Sequence, residues 1–363
     1  MKTKKKGGLF AGVLMGIVMV IAGTILLWWN EGNNVRNIKT TNEVEKNVVE
    51  IAIDANPAEY NGKLIATGGS FTVEDEALTD DTFGVSVHSA ALVRVVEVYQ
   101  WEETEVSDDD GTSYNYEKGW HEGLIDSSSF HENGHNNPSS VDFNSDSKFA
   151  EKVTLGNFKL SSAQIEQMEA NKNLGASEAK TIPEGYKASG DYVTNSANLS
   201  SPQIGDVRIT WKYNDWKEVS IIAKVSGDSF VAYTSEVGKD VNYVTDGVKT
   251  AAQMIEAMRN ADKMIKWLLR LFGFLLIFMG YMSFISPLTK LFGYIPILGS
   301  VVNFAFALSV FLLSVVHSLI VIIIAWFRYR PMLCLILGGV VGVAVILIRL
   351  LKKKRPAPAT QAA

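Results

Sequence analysis

The chain has 363 residues, enough for about two domains, and its charge is divided unevenly. All 39 acidic residues lie between Glu31 and Asp262, with 19 of the 34 Lys and Arg residues, so this block carries a net charge of −20. The rest of the chain carries 15 basic residues and no acidic ones. Such an acidic block repels nucleic acid, which argues against nucleic acid as a partner. The single cysteine, Cys334, permits no intramolecular disulfide.

The first apolar run predicts a membrane anchor. It extends from Leu9 to Trp29, long enough to cross the roughly 30 Å hydrocarbon core of a bilayer. A basic stretch at 2–6 precedes the run, and Trp28 and Trp29 at its end suit the membrane interface. The apolar part of a cleaved signal peptide is shorter, at about 7–15 residues. We therefore predict that this segment remains in the protein.

Three further apolar segments lie near the C-terminus, at 267–286, 297–327 and 332–351. The stretch from Pro287 to Pro296 predicts a short loop at the membrane surface. Together with the first run, these segments predict an α+β membrane protein. It has four transmembrane helices, with a large β-rich extracytoplasmic domain between the first and second spans.

Charge determines the predicted orientation. Both ends are basic, and an even number of spans places them on one side, which the positive-inside rule identifies as the cytoplasm. Four cations disagree, since Lys266, Arg270, Arg328 and Arg330 would lie near outer helix ends, where long side chains can reach the interface. The predicted parts are a basic cytoplasmic tail with the first helix (1–30), the acidic domain (31–262), a three-helix membrane part (263–351) and a basic cytoplasmic tail (352–363).

The acidic block has the composition of a β-rich domain. Stretches rich in β-branched and aromatic residues predict strands at 63–71, 91–101, 112–120, 205–213, 218–227 and 229–235. One predicted helix spans Ser161 to Leu174, with Ser162 at its N-cap. A second helix opens at Thr250, where Thr-x-x-Gln with Gln253 resembles a capping box, and continues into the second membrane span.

Two histidines form a literal H-E-x-x-H sequence, from His131 to His135. In zinc peptidases this motif is helical, so both imidazoles share a face and reach one zinc ion. Here Asn133 and Gly134 form a turn signal between the histidines, and Pro138 follows closely. We therefore predict a polar turn and no metal ligands, and keep a membrane-anchored hydrolase, with or without a metal, as the alternative function.

A second polar stretch has the spacing of a calcium loop, with Asp142, Asn144 and Asp146 at alternate positions. Ser147 stands where that loop has glycine, and Val153 stands where it has its twelfth-position glutamate. We therefore predict a solvated loop here, and we predict no cofactor.

The predicted spans carry one histidine and several small-residue stripes. His317 is ionisable and intramembrane, which makes it a functional candidate, but we expect a neutral imidazole bonded to a neighbouring helix. Glycines spaced by four or seven residues predict close helix packing, within one chain or between chains. They are Gly8, Gly12, Gly16, Gly273, Gly280, Gly338 and Gly342.

Five short motifs carry a family resemblance. They are "WNEG" at 29–32, "VEVYQWEET" at 96–104, "GHNNPS" at 134–139, "GDVRI" at 205–209 and "WFRYRP" at 326–331. With the order of the spans, they resemble the LUMA family, or transmembrane protein forty-three family, in which a large lumenal domain lies between the first span and a cluster of three. The resemblance implies that "GHNNP" is a structural turn.

The resemblance also implies a scaffold that self-associates and organises membrane and partner proteins. Animal members of the family are linked to the endoplasmic reticulum and inner nuclear membrane, with lamin and emerin as partners. We expect a bacterial member in the inner membrane, whose partners are the lipid bilayer, further copies of itself and unidentified membrane proteins. The predicted function is thus a non-enzymatic scaffold. A transporter is disfavoured because the predicted spans contain no acidic residue.

Overall fold

The computed structural model describes residues 8–108, 111–292 and 298–353. These belong to two compact units, a helical unit formed by Met1–Lys39 with Arg259–Ala363, and a β unit formed by Thr40–Met258. The helices are α1 (Gly8–Asn47), α2 (Pro57–Tyr60), α3 (Ser162–Ile165), α4 (Ala251–Phe292), α5 (Leu298–Tyr329) and α6 (Pro331–Lys353), with short 3-10 helices at Ser127–Ser129 and Ala176–Glu178.

The strands fall in three groups along the chain. Those before α3 are β1 (Val49–Glu50), β2 (Leu64–Val73), β3 (Leu78–Asp80), β4 (Val85–Val87), β5 (Ala91–Asp108), β6 (Gly111–Glu122), β7 (Asp146–Phe149), β8 (Val153–Leu155) and β9 (Phe158–Lys159). After α3 come β10 (Lys172–Leu174), β11 (Lys187–Ser189), β12 (Tyr192–Thr194) and β13 (Val207–Tyr213). The last are β14 (Glu218–Ser226), β15 (Ser229–Val231), β16 (Tyr233–Thr234), β17 (Asp240–Val241) and β18 (Tyr243–Asp246).

The first large sheet closes on itself. Its order is β1-β2-β8-β9-β15-β14-β18, and β2 also pairs with β14, so five of its strands form a ring. The stacked rings of Phe158 and Phe230 lie in the core of this sheet. The opposite face of β2 and β14 packs on the helix ends of the β unit, where Ile222 joins Val44 and Met254. Both faces of these two strands are thus apolar, as in a strand covered on both sides.

The second large sheet has the order β11-β12-β13-β5-β6, with β10 paired to β13 and β7 paired to β5. Trp211 and Phe83 are fully buried in its core and meet edge to face. Asp80 is buried beside them, and its Oδ2 accepts from Trp211 Nε1 at 2.8 Å. Both of its carboxylate oxygens also accept from Arg94 Nη1, at 2.8 and 2.9 Å. The pairing satisfies a carboxylate that would otherwise be costly to bury.

Most predicted elements of the acidic block are confirmed. The six predicted strand regions coincide with β2, β5, β6, β13 and β14, and the last of them with β15 and β16 in succession. The capping box at the start of α4 is also present, because Thr250 N donates to Gln253 Oε1 and Gln253 N donates to Thr250 Oγ1. From there α4 continues as one helix into its apolar half.

Two predictions were wrong. The helix predicted for Ser161 to Leu174 ends after one turn at Ile165, and Lys172–Leu174 instead forms strand β10 on β13. Tertiary pairing therefore overrides the helical pattern, which is common for short segments. The loop predicted for Pro287 to Pro296 is helical as far as Phe292, while 293–297 lie outside the described residues. Proline is tolerated inside membrane helices because neighbouring groups satisfy the freed backbone.

Three helices, rather than the predicted four, are long and apolar enough to cross a membrane among the described residues. They contain the stretches Gly12–Asn47, Ala251–Ile285 and Phe304–Tyr329. Helix α6 carries a shorter apolar stretch, Cys334–Arg349. The β unit lies between the first and second of these helices in the chain.

Glycines bring α1 and α4 into close antiparallel contact. A Cβ atom on Gly16 would lie 2.7 Å from the carbonyl oxygen of Gly280, and one on Gly23 would lie 2.7 Å from that of Gly273. The two contacts are seven residues apart on each helix, so they mark one face of both. Each distance is too short for any side chain, so glycine is what allows the helices to approach.

We predict that Gly23→Leu destabilises the helical unit, because the added side chain would press on the backbone of α4. Overpacking of this kind costs about 1–3 kcal/mol or more. Ala22→Leu is the matched control, since Ala22 is the adjacent residue and is exposed. Thermal unfolding of both variants in one detergent measures the difference. Equal melting temperatures would contradict the close contact.

Candidate functional site

The helical unit contains a buried ion pair. Glu31 of α1 has a side chain that is 1% exposed, and its Oε1 accepts from Arg270 of α4, at 2.7 Å from Nε and 2.6 Å from Nη2. Its Oε2 accepts from Trp326 Nε1 of α5 at 2.9 Å. One carboxylate therefore joins three helices, and both of its oxygens are satisfied.

Further polar contacts surround this pair. Asn30 Nδ2 donates to the Lys266 carbonyl oxygen at 3.0 Å, which joins α1 to α4 again. Gly32 lies against the Tyr329 ring, where a Cβ atom would be only 2.7 Å from Cζ. The Tyr329 ring also packs on Trp28, with centroids 5.7 Å apart. The motifs "WNEG" and "WFRYRP", about 300 residues apart in sequence, thus meet in this cluster.

His317 lies deeper in the helical unit and bonds to two other helices. Its Nδ1 is 2.8 Å from Tyr281 Oη, and its Nε2 is 3.2 Å from Thr24 Oγ1. The Thr24 hydroxyl donates its proton to the Val20 carbonyl oxygen at 2.7 Å, so its oxygen accepts from Nε2–H. Nδ1 then accepts from the Tyr281 hydroxyl, which describes the neutral imidazole tautomer protonated on Nε2.

A groove opens beside the ion pair. It has a volume of about 390 Å³, and its walls come from α1, α4 and α5. Trp267, Arg270 and Trp326 lie at one end, and Phe274 and Ser318 lie at the other. The groove is mostly apolar, and its charged lining residue, Arg270, is already paired with Glu31.

In the β unit, the "GDVRI" and "VEVYQWEET" motifs pair with each other. Arg208 lies directly opposite Glu97 in the β13–β5 ladder and forms a two-pronged ion pair, at 2.7 and 2.8 Å. The guanidinium also lies between the rings of Trp120 and Tyr192, 4.6 and 4.9 Å from their centroids. Arginine thus has a structural role here, and its contacts join four strands, β5, β6, β12 and β13.

The "GHNNPS" motif also has a structural role, through Asn137. Its side chain accepts from the Trp101 backbone N–H at 2.7 Å and donates to the Trp101 and Ile125 carbonyl oxygens at 2.8 and 3.2 Å. The amide thus bonds to the backbone N–H and C=O of Trp101 on β5, as a neighbouring strand would. Gly134, with φ of +103°, makes the preceding turn, a conformation that side chains other than glycine rarely adopt.

The two histidines of the H-E-x-x-H sequence do not converge. The His131 ring stacks on Tyr114, and the His135 ring stacks on Tyr116, with centroids 4.1 and 3.7 Å apart. The segment is a bend and turn, as predicted. No group of three His, Cys, Asp or Glu side chains among the described residues is placed to hold a metal ion.

The carboxylate nearest these histidines serves the turn. Glu103 Oε2 accepts from the His131 backbone N–H at 2.6 Å and from the Tyr116 hydroxyl. Partial desolvation raises the pKa of Glu103, but these hydrogen bonds outweigh it, so the pKa lies below its ordinary value. A carboxyl group that stays ionised and bonded in this way suits a fixed acceptor better than a general acid.

The predicted calcium-like loop is bound to its surroundings. Asp142 accepts from the Tyr186 hydroxyl at 3.1 Å, and the Asn144 carbonyl oxygen accepts from Arg94 Nε at 2.9 Å. Burial, and then the charge of Asp142, raise the pKa of Tyr186. Asp146 begins β7 and pairs with β5. The three oxygen-bearing side chains are thus spread along an ordered segment instead of wrapped around one point.

The seven predicted packing glycines occupy different environments. Gly16, Gly273 and Gly280 lie in the α1–α4 contact described above. Among the described residues, nothing lies within 4 Å of a Cβ atom built on Gly12, Gly338 or Gly342. Gly8 begins α1, and its surroundings lie outside the described side chains.

Comparison with known proteins gives a consistent result. The family model described as Transmembrane protein 43 matches residues 98–331. The Transmembrane protein 43 of Rattus norvegicus and that of Homo sapiens are each 27% identical to this chain over 361 residues, covering 93% of this chain and 89% of theirs. The Transmembrane protein 43 homolog of Drosophila melanogaster is 26% identical, covering 90% of this chain and 91% of its own. No solved structure matches. These relatives are animal proteins, and the bacterial origin expected above stays a prediction.

We predict that Glu31→Leu alone strongly destabilises the helical unit, because it leaves Arg270 charged and unpaired. Breaking a buried pair from one side costs roughly 3–5 kcal/mol. The double variant Glu31→Leu with Arg270→Leu should recover most of that loss, apart from the bond to Trp326. Arg36→Leu is the control, since Arg36 lies on the same helix and is exposed.

A double-mutant cycle of thermal unfolding in detergent measures this coupling. If the two single losses simply add in the double variant, Glu31 and Arg270 are not coupled and the ion pair does not hold the helices together.

Proposed function

Because the chain belongs to the transmembrane protein 43 family, we propose that it is a non-enzymatic multi-pass membrane scaffold. It associates with further copies of itself and organises membrane or partner proteins. The observation that carries this proposal is that residues of its short motifs form bonds within the protein. Glu31, Arg208 and Asn137 each bond to other parts of the chain. In these contacts the three side chains bind the protein itself and not a substrate.

The glycine faces support self-association. Gly338 and Gly342 share one face of α6, four residues apart, and Gly12 lies one turn before Gly16 on the same face of α1, where none of the described atoms lies within 4 Å of a Cβ atom built on it. Backbones can approach closely at such positions, and in a bilayer this packing replaces the hydrophobic driving force. Many apolar side chains of α5 and α6 are also more than half exposed, which lipid or a second copy would cover.

The orientation is part of the same proposal. Helix α6 has 23 residues, close to the roughly 20 that a span requires, so we count it as the fourth crossing. Both termini then lie in the cytoplasm, the β unit lies outside it, and the membrane is a bacterial inner membrane. The basic residues at both ends of the chain support this arrangement.

We predict a homo-oligomer in mild detergent that is weakened by Gly342→Leu, because the added side chain separates the packed backbones. Ala344→Leu is the matched control, since Ala344 is exposed and lies two residues further on, on the opposite side of α6. Mass photometry of both variants and of Gly12→Leu measures the assembly. A monomer at every concentration, in several detergents and in nanodiscs, would remove the scaffold proposal.

The orientation predicts which cysteines an impermeant maleimide reaches in intact cells. In a Cys334→Ala background, Ser226→Cys on the exposed end of β14 should be labelled, and Ala363→Cys should be labelled only after the cells are opened. The reverse pattern would place the β unit in the cytoplasm. Labelling of both sites in intact cells would mean an odd number of crossings.

A further inference from the structure

We propose that the groove between α1, α4 and α5 binds one anionic phospholipid from the bilayer. Its acyl chain lies along the apolar walls, and its phosphate lies against the cations at the open end. This proposal does not depend on the scaffold function or on which side of the membrane the β unit occupies.

The shape of the groove fits a lipid chain. Its volume of about 390 Å³ lies within the roughly 300–1,000 Å³ typical of ligand sites. The lining runs on α4 from Trp267 to Phe274 and on α5 from Trp326 back to Ser318, about 10 Å of helix at 1.5 Å per residue. Leu27 of α1 closes the back. Apolar walls of this length match part of an acyl chain.

The charge at the open end fits a phosphate. Lys266 lies within electrostatic range of three other cations, Arg270, Arg330 and Lys263, and of one carboxylate, Glu31. That carboxylate is already paired with Arg270. The positive charge on Lys266 and Arg330 is therefore not balanced within this cluster, and a cluster of cations beside a bilayer attracts anionic headgroups.

Aromatic side chains mark the level of the headgroup. Trp267 is 58% exposed, and its ring contacts two cations, with Lys266 Nζ 5.7 Å and Arg270 Cζ 4.7 Å from its centroid. Tryptophan prefers the membrane interface, where lipid phosphates lie. The apolar groove thus extends into the membrane from the level at which the cations lie. This placement also accounts for the basic residues that depart from the positive-inside pattern.

Two kinds of substitution distinguish binding of the lipid headgroup from binding of its acyl chain. Lys266→Gln with Arg330→Gln removes two cations of this cluster and leaves the Glu31–Arg270 pair intact. Ser318→Leu fills the inner end of the groove without changing charge. Arg349→Gln is the matched control, an exposed cation on α6 away from the groove lining.

The test uses the full-length protein in nanodiscs. Native mass spectrometry measures retention of phosphatidylglycerol and of phosphatidylcholine with identical acyl chains, and thermal unfolding confirms that each variant is folded. We expect one phosphatidylglycerol per chain to be retained in preference to phosphatidylcholine. Each neutralised cation should reduce that preference roughly fivefold. Ser318→Leu should lower retention of both lipids, and Arg349→Gln should change neither.

Other outcomes would overturn the proposal. Equal retention of the two lipids, or an unchanged preference in the Lys266 and Arg330 double variant, would show that the cations do not select an anionic headgroup. Displacement of the lipid by millimolar inorganic phosphate would assign the site to the free anion. If the protein no longer retains the lipid once it forms oligomers, the groove would be assigned to a second copy of the chain.

Discussion

The helical unit depends on one buried carboxylate. Removing an ion such as the Glu31 side chain from water costs several kcal/mol in a real protein, and the cost is offset only when partners meet it in good geometry. Arg270 and Trp326 supply those partners from two other helices. Since a side chain on a helix points in one direction, the three bonds fix the rotation of α1, α4 and α5 about their own axes. The glycine contact and the His317 bonds lie on the faces that this rotation brings together.

In the β unit, polar side chains that must meet their partners fix the arrangement of strands in the same way. Arg208 and Glu97 face each other across two strands, and Asp80 accepts from Arg94 and Trp211 within the core of the same sheet. Each of these polar groups meets its partners in only one register, because a shift of one residue moves it to the other face. A shift of two residues keeps each apolar side chain on its own face, so hydrophobic burial discriminates against it less, but it would separate the polar partners. The polar pairs thus specify the alignment, and the pair of Arg208 with Glu97 joins two of the short motifs.

Features that depend on neighbouring residues could be predicted from the sequence, whereas pairing between distant residues could not. The turn at Gly134 and the cap at Thr250 depend on neighbours within four residues, so they could be predicted. The helix expected after Ser161 was wrong because its later residues pair with a distant strand. Glu31 was assigned to the acidic domain because of its charge, and its partner Arg270 is 239 residues away. The signal that could have found the pair is that both adjoin the tryptophan-rich ends of apolar runs.

The closed ring of strands has a consequence for biosynthesis. Leu64 of β2 pairs with Lys224 of β14, so the ring cannot close until the ribosome has made nearly all of the β unit. At typical synthesis rates, that interval is about ten to thirty seconds. Throughout it, β2 has an unpaired edge and two apolar faces, which is the state most prone to aggregate. In the finished ring β14 pairs with that edge, so a nascent chain truncated before β14 keeps the edge unpaired and open to aggregation.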